Sequence, residues 1–481
     1  MMPAMAANPS HAGAARPAAQ ETVRALIARA RAAQAGYARW PQERVDEAAL
    51  ACGWAIMKPG NNRALAELAV RDSGLGSVED KIAKNHRKTL GLLRDIAGVR
   101  TVGVIAEDPE KGITEIARPV GVVAAITPST NPGATPANQI VNALKCGNAI
   151  ILAPSPKGYR TAVLLLEFIH SEFRKIQASP DLVQLLPAPV TKDLTYELMR
   201  QADLVAATGS QANIRAAYSS GTPAIGVGLG NVVSIVDASA DLADAARKIA
   251  LSKTFDHATS CSSENAVVIL APVYDAMLAE LARQGGVMLD AGEKAKLQAL
   301  MFPGGKLAPA ATAQAAPRIA ALAGLERAAT ARAGFLMVEE TGVGPACPFS
   351  GEKLSPVLAV YKAPDFDGAM ALTARIYDYQ GKGHSVSLHS KDEPQALRLG
   401  LELPVARVIV NQAHCIATGG SFDNGLPFSL SMGCGTWGRN SFSDNMHWRH
   451  FLNITRISRV IPERVPSEQE IFGGYFAKHG K

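Results

Sequence analysis

An alternation of apolar, β-branched runs with helical segments, which begins at Val120, is the feature that most limits the fold of this chain. VGVVAAIT (120–127) ends in a Pro/Gly-rich loop that leads into a helical segment, and NAIILAPS (148–155) repeats the pattern. DLVQLLPA and ADLVAATGS predict two more strands of the same kind. Strands that alternate with helices in this way form parallel sheets covered on both faces. We therefore predict an α/β fold.

A second block of the same texture begins near Val232 and contains the runs VVSIVD, AVVILA, LSPVLAVY, HSVSLHS and ARVIVN. The chain has 481 residues, which is too long for one ordinary hydrophobic core. We therefore predict two large domains, one over residues 21–231 and one over residues 232–440.

Three further segments lie outside these two blocks. TVGVIAEDPEKGITEIAR (101–118) has two β-rich runs around a polar turn, which predicts a hairpin. Residues 441–481 contain HFLNITRISRVIP, which is strand-like and can extend a sheet of this chain or of a neighbouring one. Residues 1–20 are rich in Ala and Pro and have no unbroken apolar core, so we predict a disordered tail and no signal peptide.

Charge and cysteine content exclude several classes of function. The net charge is +6, with the basic residues scattered, which argues against nucleic-acid binding. No run approaches the ~20 apolar residues that span a bilayer, so no membrane association is expected. The six cysteines show neither a disulfide framework nor metal-ligand spacing, so we expect no metal and a reducing compartment, the cytoplasm.

Loops at the carboxyl ends of parallel strands are where ligands of such sheets bind. Asn131 lies in the first of these loops, where its amide can donate to an oxyanion or simply serve as a turn residue. Thr208, Gly209 and Ser210 end a strand and open a helix, which offers backbone N–H groups to a phosphate. The GVGLGN run (226–231) does not have the G-x-G-x-x-G spacing, so the usual dinucleotide fingerprint is absent.

Cys261 lies in FDHATSCSSENAVVIL, in a small polar loop between a helix and a buried strand. A thiol among hydroxyls in a loop can be accessible and nucleophilic. The alternative is a small residue that fills a tight loop, because most cysteines are buried and inert.

Taken in order, seven motifs resemble the aldehyde dehydrogenase superfamily, and more narrowly its coenzyme A-acylating branch. The resemblance extends from about Glu21 to Arg459. The motifs are PVGVVAAITPSTNP (119–132), ATGS (207–210), AYSSGTPAIGVG (217–228), SKTFD (252–256), SCSSEN (260–265), EKLSPVL (352–358) and GCGTWGRNS (433–441).

The resemblance implies two Rossmann-type domains, with the nicotinamide cofactor on residues 21–231 and the nucleophile on residues 232–440. It implies that Cys261 attacks the aldehyde and that Asn131 and the backbone N–H of Cys261 form an oxyanion hole. His384 resembles a histidine that assists the coenzyme A thiol, and it can equally be a hydrogen-bonded strand histidine.

Position 227 indicates how the enzyme thioester is released. Hydrolytic relatives carry a glutamate near this position as the base for water, and here it is Val227. Valine cannot take a proton, so the resemblance implies transfer of the acyl group to coenzyme A. A hydrolytic enzyme that makes a free acid and a non-catalytic structural relative are the alternatives.

The cofactor is expected to be NADP or NAD, with NADP favoured. Pro156 stands about where many relatives have an acidic residue, so nothing there repels a 2′-phosphate, and Arg160 is close. Lys157 and Arg160 can alternatively belong to a solvated helix start. The residues expected to bind the cofactor are Thr127, Pro128, Ser155, Lys157, Thr208, Gly209, Ser210, Gly228 and Glu352.

The expected substrate is a small aldehyde, with sulfoacetaldehyde preferred and succinate semialdehyde or acetaldehyde as alternatives. A sulfonate or carboxylate needs hydrogen-bond donors, and His257 and His414 are the first candidates. Lys84, Arg87 and Lys88 are further candidates unless they form a solvated helix face. The hairpin and the terminal strand resemble elements that pair subunits, so a homodimer or homotetramer is expected.

Overall fold

The computed structural model describes residues 12–331 and 333–481. It contains the predicted strands in their order and three more that were not predicted, at Ala224–Val227, Gly286–Met288 and Phe335–Glu339. The strands are β1 (Gly103–Asp108), β2 (Ile113–Pro119), β3 (Val122–Thr127), β4 (Ala149–Pro154), β5 (Val183–Leu185), β6 (Leu204–Thr208), β7 (Ala224–Val227), β8 (Val232–Val236), β9 (Glu264–Leu270), β10 (Gly286–Met288), β11 (Phe335–Glu339), β12 (Val357–Ala363), β13 (Val386–His389), β14 (Val408–Val410) and β15 (Leu452–Ser458).

Helices precede, connect and follow these strands. They are α1 (Ala12–Tyr37), α2 (Gln42–Met57), α3 (Pro59–Ser73), α4 (Val78–Ile96), α5 (Ala134–Lys145), α6 (Tyr159–Ile176), α7 (Lys192–Gln201), α8 (Gln211–Tyr218), α9 (Leu242–Thr254), α10 (Tyr274–Arg283), α11 (Ala291–Met301), α12 (Ala316–Leu322), α13 (Glu326–Thr330), α14 (Phe366–Tyr379), α15 (Glu393–Glu402), α16 (His414–Ala417) and α17 (Glu468–His479).

The strands form two parallel sheets and one antiparallel sheet. The first sheet has five strands in the order β5-β4-β3-β6-β7, and the second has seven in the order β10-β11-β12-β9-β8-β13-β14. The third, which we call the arm sheet, has the order β1-β2-β15. This arrangement confirms the predicted α/β fold with two parallel sheets and a hairpin.

Burial along the strands explains why both sheets lie inside helical layers. All six residues of β3 and of β4 are buried, as expected for strands covered on both faces. In β9, Val267 and Ile269 pack in one core cluster, whereas Ala266 and Val268 pack in another. Successive strand residues point to opposite faces, so this single strand contributes to both cores of the second sheet.

The two chain ends differ from the expectation. Residues 12–20, expected as part of a disordered tail, are the beginning of α1, and residues 1–11 lie outside the described residues. The terminal strand β15 pairs antiparallel with β2 of its own chain, from Leu452 opposite Pro119 to Ser458 opposite Ile113. Helix α17 (Glu468–His479), which is capped by the side chain of Ser467, is not among the elements predicted from the sequence.

Among the described residues, no helix combines the length and apolar character needed to cross a bilayer.

Candidate active site

A cavity of about 420 Å³ lies between the two parallel sheets. One wall is the carboxyl edge of the first sheet, where Thr127 ends β3 and Thr208 ends β6. The opposite wall is the amino edge of the second sheet, where Cys261 precedes β9 and Glu352 precedes β12. The parallel direction of both sheets therefore brings the expected cofactor loops to face the expected nucleophile.

Cys261 is held in this wall by close backbone packing. A Cβ at Gly230 would overlap the carbonyl oxygen of Cys261, so only glycine allows this approach. On either side of Cys261, the hydroxyls of Ser260 and Ser262 lie 2.7 Å apart. Burial raises the pKa of the Cys261 thiol above its usual range, and the nearby carboxylate of Glu352, when ionised, adds a smaller increase. The sulfur is therefore a neutral thiol near neutral pH.

His384 is the group that contacts this thiol. Its Nε2 lies 3.4 Å from Sγ of Cys261, and its Nδ1 lies 2.7 Å from Oγ of Ser385. Burial, together with the positive charge of Arg407, lowers the pKa of His384 well below its usual range. A neutral imidazole that donates from Nδ1 to Ser385 has a free lone pair at Nε2. His384 can therefore accept the proton of Cys261.

Asn131 lines the cavity from the loop after β3. Its Oδ1 accepts a hydrogen bond of 2.8 Å from Nζ of Lys84, which comes from α4. Among the described residues, none accepts a hydrogen bond from Nδ2 of Asn131. The amide thus has its carbonyl end engaged and its donor end available.

The loop before Cys261 contains an unusual left-handed turn. Asp256, His257 and Ala258 have φ values of 50°, 50° and 57°, a region that residues other than glycine seldom adopt. The buried carboxylate of Asp256 accepts hydrogen bonds from Lys81 at 3.0 Å and Lys84 at 2.5 Å. Burial alone would raise the pKa of Asp256, but these two ammonium groups outweigh it and lower the pKa to about 2. The turn is therefore secured by a permanently ionised carboxylate.

Three hydroxyl groups on the side of the cavity formed by the first sheet have no hydrogen-bond partner among the described residues. They are Oγ1 of Thr127, Oγ1 of Thr135 and Oγ of Ser155, all buried and all in residues that line the cavity. Buried polar atoms are normally hydrogen-bonded, so unpaired ones at a cavity indicate a polar ligand. Such hydroxyls suit the phosphate and ribose oxygens of a dinucleotide.

Glu352 faces the same space from the second sheet. Its Oε1 accepts a hydrogen bond of 3.2 Å from the backbone N–H of Gly230. Burial raises the pKa of Glu352 to about 8, so the carboxyl group is mostly protonated near neutral pH. In that form it can both donate and accept hydrogen bonds, as the two hydroxyls of a ribose require.

The family of this chain follows from its match to a known family model. The family model described as "Aldehyde dehydrogenase family" matches residues 5–332, which is more than half of the chain. The chain belongs to the aldehyde dehydrogenase family.

Two relatives of this aldehyde dehydrogenase are named as acylating or acetylating enzymes. A sulfoacetaldehyde dehydrogenase (acylating) of Cupriavidus necator is 67% identical over 464 residues, which cover 96% of this chain and 94% of the relative. A succinate-semialdehyde dehydrogenase (acetylating) of Clostridium kluyveri is 36% identical, over 94% of this chain and 99% of the relative. The predicted resemblance to the coenzyme A-acylating branch is confirmed.

A solved structure agrees with the fold of the aldehyde dehydrogenase. The crystal structure of an acetylating aldehyde dehydrogenase from Geobacillus thermoglucosidasius matches with a TM-score of 0.90 and 34% identity. The match covers 94% of this chain and 99% of that one.

The structure places most of the expected site residues of the aldehyde dehydrogenase around this one cavity. The lining includes Pro128, Gly209, Ser210 and Gly228, in addition to Thr127, Asn131, Ser155, Thr208, Cys261 and Glu352. His384 is buried and is not among the lining residues, although it contacts Cys261. Lys157 is an exposed residue beside Ser155, and among the described residues no carboxylate pairs with it. Arg160 lies 3.4 Å from Oδ1 of Asp72, so its charge is already partly balanced.

The two histidines expected to bind substrate are not among the described residues that line the cavity. His257 lies in the left-handed turn and forms no hydrogen bond with a described residue through its ring. His414 is fully buried, and its Nδ1 lies 2.7 Å from the carbonyl oxygen of Ser262. The ring of His414 is therefore engaged with the backbone of the loop that carries Cys261. Neither His257 nor His414 lines the cavity, so the predicted histidine pocket for an anion is not found there.

The cationic residues of α4 do not form a solvated face, which corrects the alternative considered for them: Lys84 and Lys88 are buried, and Arg87 is half-buried. Lys84 is engaged by Asn131 and Asp256, and Arg87 bonds the hydroxyl of Ser421 at 2.8 Å. Lys88 alone of these three lines the cavity.

Lys88 is a buried cation without a described carboxylate partner. Its Nζ donates to the carbonyl oxygens of Gly419 at 2.6 Å and Gly420 at 3.3 Å. Burial, reinforced by repulsion from Arg87, lowers the pKa of Lys88 to about 7. A buried ammonium group without a carboxylate partner is stabilised by an anion that binds in the cavity.

Arg407 supports His384 and is not among the site residues predicted from the sequence. Its guanidinium donates to the carbonyl oxygens of His384 at 3.2 Å and Gly433 at 3.0 Å, and to Oδ1 of Asn445 at 2.7 Å. These bonds fix the backbone from which the imidazole reaches Cys261. The only signal in the sequence is an arginine inside the strand-like run ARVIVN, where a charged residue demands a partner.

Proposed function

We propose that this chain oxidises sulfoacetaldehyde and transfers the acyl group to coenzyme A, with NADP⁺ or NAD⁺ as the hydride acceptor. The observation that carries the chemistry is the 3.4 Å contact between Nε2 of the buried His384 and Sγ of Cys261, which lines the cavity. The substrate is supported by the name of the relative that is 67% identical and by the unpaired cation Lys88 in the cavity lining.

The first step is attack by sulfur on the aldehyde carbon. The thiol proton of Cys261 passes to Nε2 of His384 as the carbon–sulfur bond forms, and the carbonyl electron pair moves to oxygen. Nδ2 of Asn131 and the backbone N–H of Cys261 then stabilise the negative oxygen. One such donor lowers the barrier by about 2.7–4 kcal/mol.

The second step is loss of hydride from that carbon, after which the carbonyl double bond re-forms as a thioester on Cys261. The nicotinamide cofactor, when bound, accepts this hydride. The unpaired hydroxyls of Thr127 and Ser155 and the loop at Gly209 would hold its phosphates and ribose, and Glu352 its nicotinamide ribose. His384 releases its proton to solvent, which accounts for the one proton that the overall reaction liberates.

The third step is acyl transfer. The neutral imidazole of His384 accepts the proton of the coenzyme A thiol, whose sulfur attacks the thioester carbon and expels Cys261 as the thiolate. His384 then returns that proton to Cys261, which restores the neutral pair. The glutamate that hydrolytic relatives use as the base for water is absent, because position 227 is Val227, which carries no ionisable group. The missing base removes about 10²–10⁴-fold of hydrolytic rate, so thiolysis prevails.

We propose NADP over NAD on the chemistry of the segment after β4. Lys157 is a free cation near Ser155, and Pro156 supplies no carboxylate to repel a 2′-phosphate. The ion pair of Arg160 with Asp72 makes Lys157 the more suitable of the two basic residues.

We also propose a homodimer or homotetramer, in which the arm sheet pairs subunits. Support comes from its exposed edges and from apolar side chains that follow β15 and remain exposed. They are Val460, Ile461, Val465, Ile471, Phe472 and Tyr475. A cytoplasmic location is supported by the six cysteines, all of which are free thiols.

The test is an aldehyde panel with the purified protein, run with each cofactor and with coenzyme A present or omitted. We expect sustained reduction of NADP⁺ only with coenzyme A, and a thioester product by mass spectrometry. Without coenzyme A, reduction should stop after about one turnover, because the enzyme thioester accumulates. Brisk turnover to a free acid without coenzyme A would overturn the proposal, and equal kcat/KM for sulfoacetaldehyde, succinate semialdehyde and acetaldehyde would remove the anion site.

A further inference from the structure

Helix α4 delivers two ammonium groups to one buried carboxylate behind the active site. Nζ of Lys81 lies 3.0 Å and Nζ of Lys84 lies 2.5 Å from Oδ2 of Asp256. Only Lys84 continues to the active-site side chain, with Nζ 2.8 Å from Oδ1 of Asn131. Lys81 instead donates to the backbone carbonyl of Thr130 at 3.0 Å. The two lysines therefore share an anchor but differ in what they hold.

The chemistry of an ammonium group decides how the amide is turned. Lys84 has only donors, so it can face only the carbonyl end of the Asn131 amide. This leaves the two N–H bonds of Nδ2 without a described acceptor and directed away from α4. The positive charge on the carbonyl oxygen also polarises the amide, which strengthens Nδ2 as a donor.

Lys84 also joins the two loops whose spacing matters for attack on a carbonyl. Asn131 belongs to the loop of the first sheet, whereas Asp256 and Thr259 belong to the loop that carries Cys261. Nζ of Lys84 lies 3.2 Å from Oγ1 of Thr259, two residues before the nucleophile. One atom thus sets the position of the oxyanion donor relative to the reacting sulfur.

We propose that Lys84 is a positioning residue, which orients and polarises Asn131 so that Nδ2 meets the oxygen of the aldehyde as it becomes negative. This inference rests on the proposed function, because it requires a carbonyl that is attacked at Cys261. Lys84 is fully engaged by Asp256, Thr259 and Asn131, so it is not a ligand of the substrate anion.

The experiment compares Lys84→Met with the matched control Lys81→Met. Both substitutions remove one ammonium from Asp256, but only the first releases the Asn131 amide. We expect Lys84→Met to lower kcat/KM for the aldehyde by about tenfold or more, since loss of a whole oxyanion donor costs about 10²–10³-fold. Lys81→Met should lower the melting temperature with a smaller loss of rate. Lys84→Gln replaces the methionine variant if that variant does not fold.

A second measurement separates positioning from general damage. Alkylation of Cys261 by iodoacetamide occurs at a saturated carbon and builds no oxyanion, so its rate should change little in Lys84→Met. The loss in Asn131→Ala/Lys84→Met should equal the loss in Asn131→Ala alone, because both substitutions remove one function.

The outcomes distinguish this inference from the proposed function. If wild-type protein is inactive with coenzyme A, the proposed function fails. If wild type is active, Asn131→Ala is impaired and Lys84→Met keeps full kcat/KM, only the inference is overturned. Additive losses in the double variant, or an equal loss in Lys81→Met, would also overturn it.

Discussion

Nε2 of His384 lies 3.4 Å from Sγ of Cys261, and the two groups meet as neutral partners. Burial lowers the pKa of the imidazole and raises the pKa of the thiol, so a preformed thiolate–imidazolium pair is disfavoured in this environment. Both groups therefore remain uncharged until an aldehyde binds, and the proton moves from Cys261 to His384 as the carbon–sulfur bond forms. This relationship makes the reactivity of Cys261 dependent on His384.

The first prediction concerns that dependence. His384→Gln should slow alkylation of Cys261 by iodoacetamide at least about tenfold near neutral pH, because the proton acceptor is lost. His389→Gln is the control, since His389 is another buried histidine, at the end of β13, and has no hydrogen bond with Cys261. The rate is measured by mass spectrometry of the alkylated peptide, and an unchanged rate in His384→Gln would rule out the proton transfer.

The second prediction concerns pH and Glu352. The pKa of Glu352 is about 8, so its carboxyl group is neutral below that pH and negative above it. The negative form raises the pKa of Cys261, and therefore Glu352→Gln should speed alkylation well above that pH and leave it unchanged well below. A pH series of alkylation rates measures this. A uniform offset at all pH values would show that Glu352 acts on Cys261 by packing and not by charge.

The third prediction concerns Lys88 as the cation for an anionic aldehyde. Lys88→Met should lower kcat/KM for sulfoacetaldehyde by about 10–100-fold, as loss of a charge-assisted hydrogen bond implies, and spare propionaldehyde. In wild type, KM for sulfoacetaldehyde should rise as the pH rises above about 7, because Lys88 then loses its proton. Arg87→Met should move this rise in KM to higher pH, since it removes the repulsion by which Arg87 helps to lower the pKa of Lys88. An equal loss for both aldehydes would remove Lys88 from substrate selection.

The fourth prediction concerns cofactor choice. Lys157→Ala should raise KM for NADP⁺ about tenfold or more and change KM for NAD⁺ little, because only the former has a 2′-phosphate. Arg160→Ala should have a weaker effect, since Arg160 is paired with Asp72. Steady-state kinetics with both cofactors measures the split. Parallel changes with both cofactors would assign Lys157 to some other part of the dinucleotide.

The sequence predicts features that depend on neighbouring residues, such as strands and the loops after them. It does not predict contacts between residues that are far apart in the chain. Apolar runs such as VVAAIT predict strands because burial on both faces demands them, and the loops that follow are set by the direction of parallel strands. The anchor of Lys84 on Asp256 joins positions 172 residues apart, and no periodicity reports such a pair. His257 is close to Cys261 in sequence, yet a left-handed turn places it outside the cavity lining, which composition cannot show.

The fifth prediction tests that turn through a glycine on the opposite side of it. A Cβ at Gly76, whose φ is +78°, would overlap Oδ1 of Asp256, whereas Gly74 has a similar φ of +69° and open space. Gly74→Ala should therefore cost only the left-handed penalty of about 1–2 kcal/mol. Gly76→Ala should cost about 3 kcal/mol or more, because it also displaces a carboxylate from a buried ion pair. Urea unfolding measures both free energies, and activity should fall only in Gly76→Ala, since Asp256 precedes Cys261 in the same loop. Equal unfolding free energies in the two variants would show that Asp256 can move without loss of stability. The left-handed turn would then be held by the surrounding packing and not by the ion pairs of Asp256.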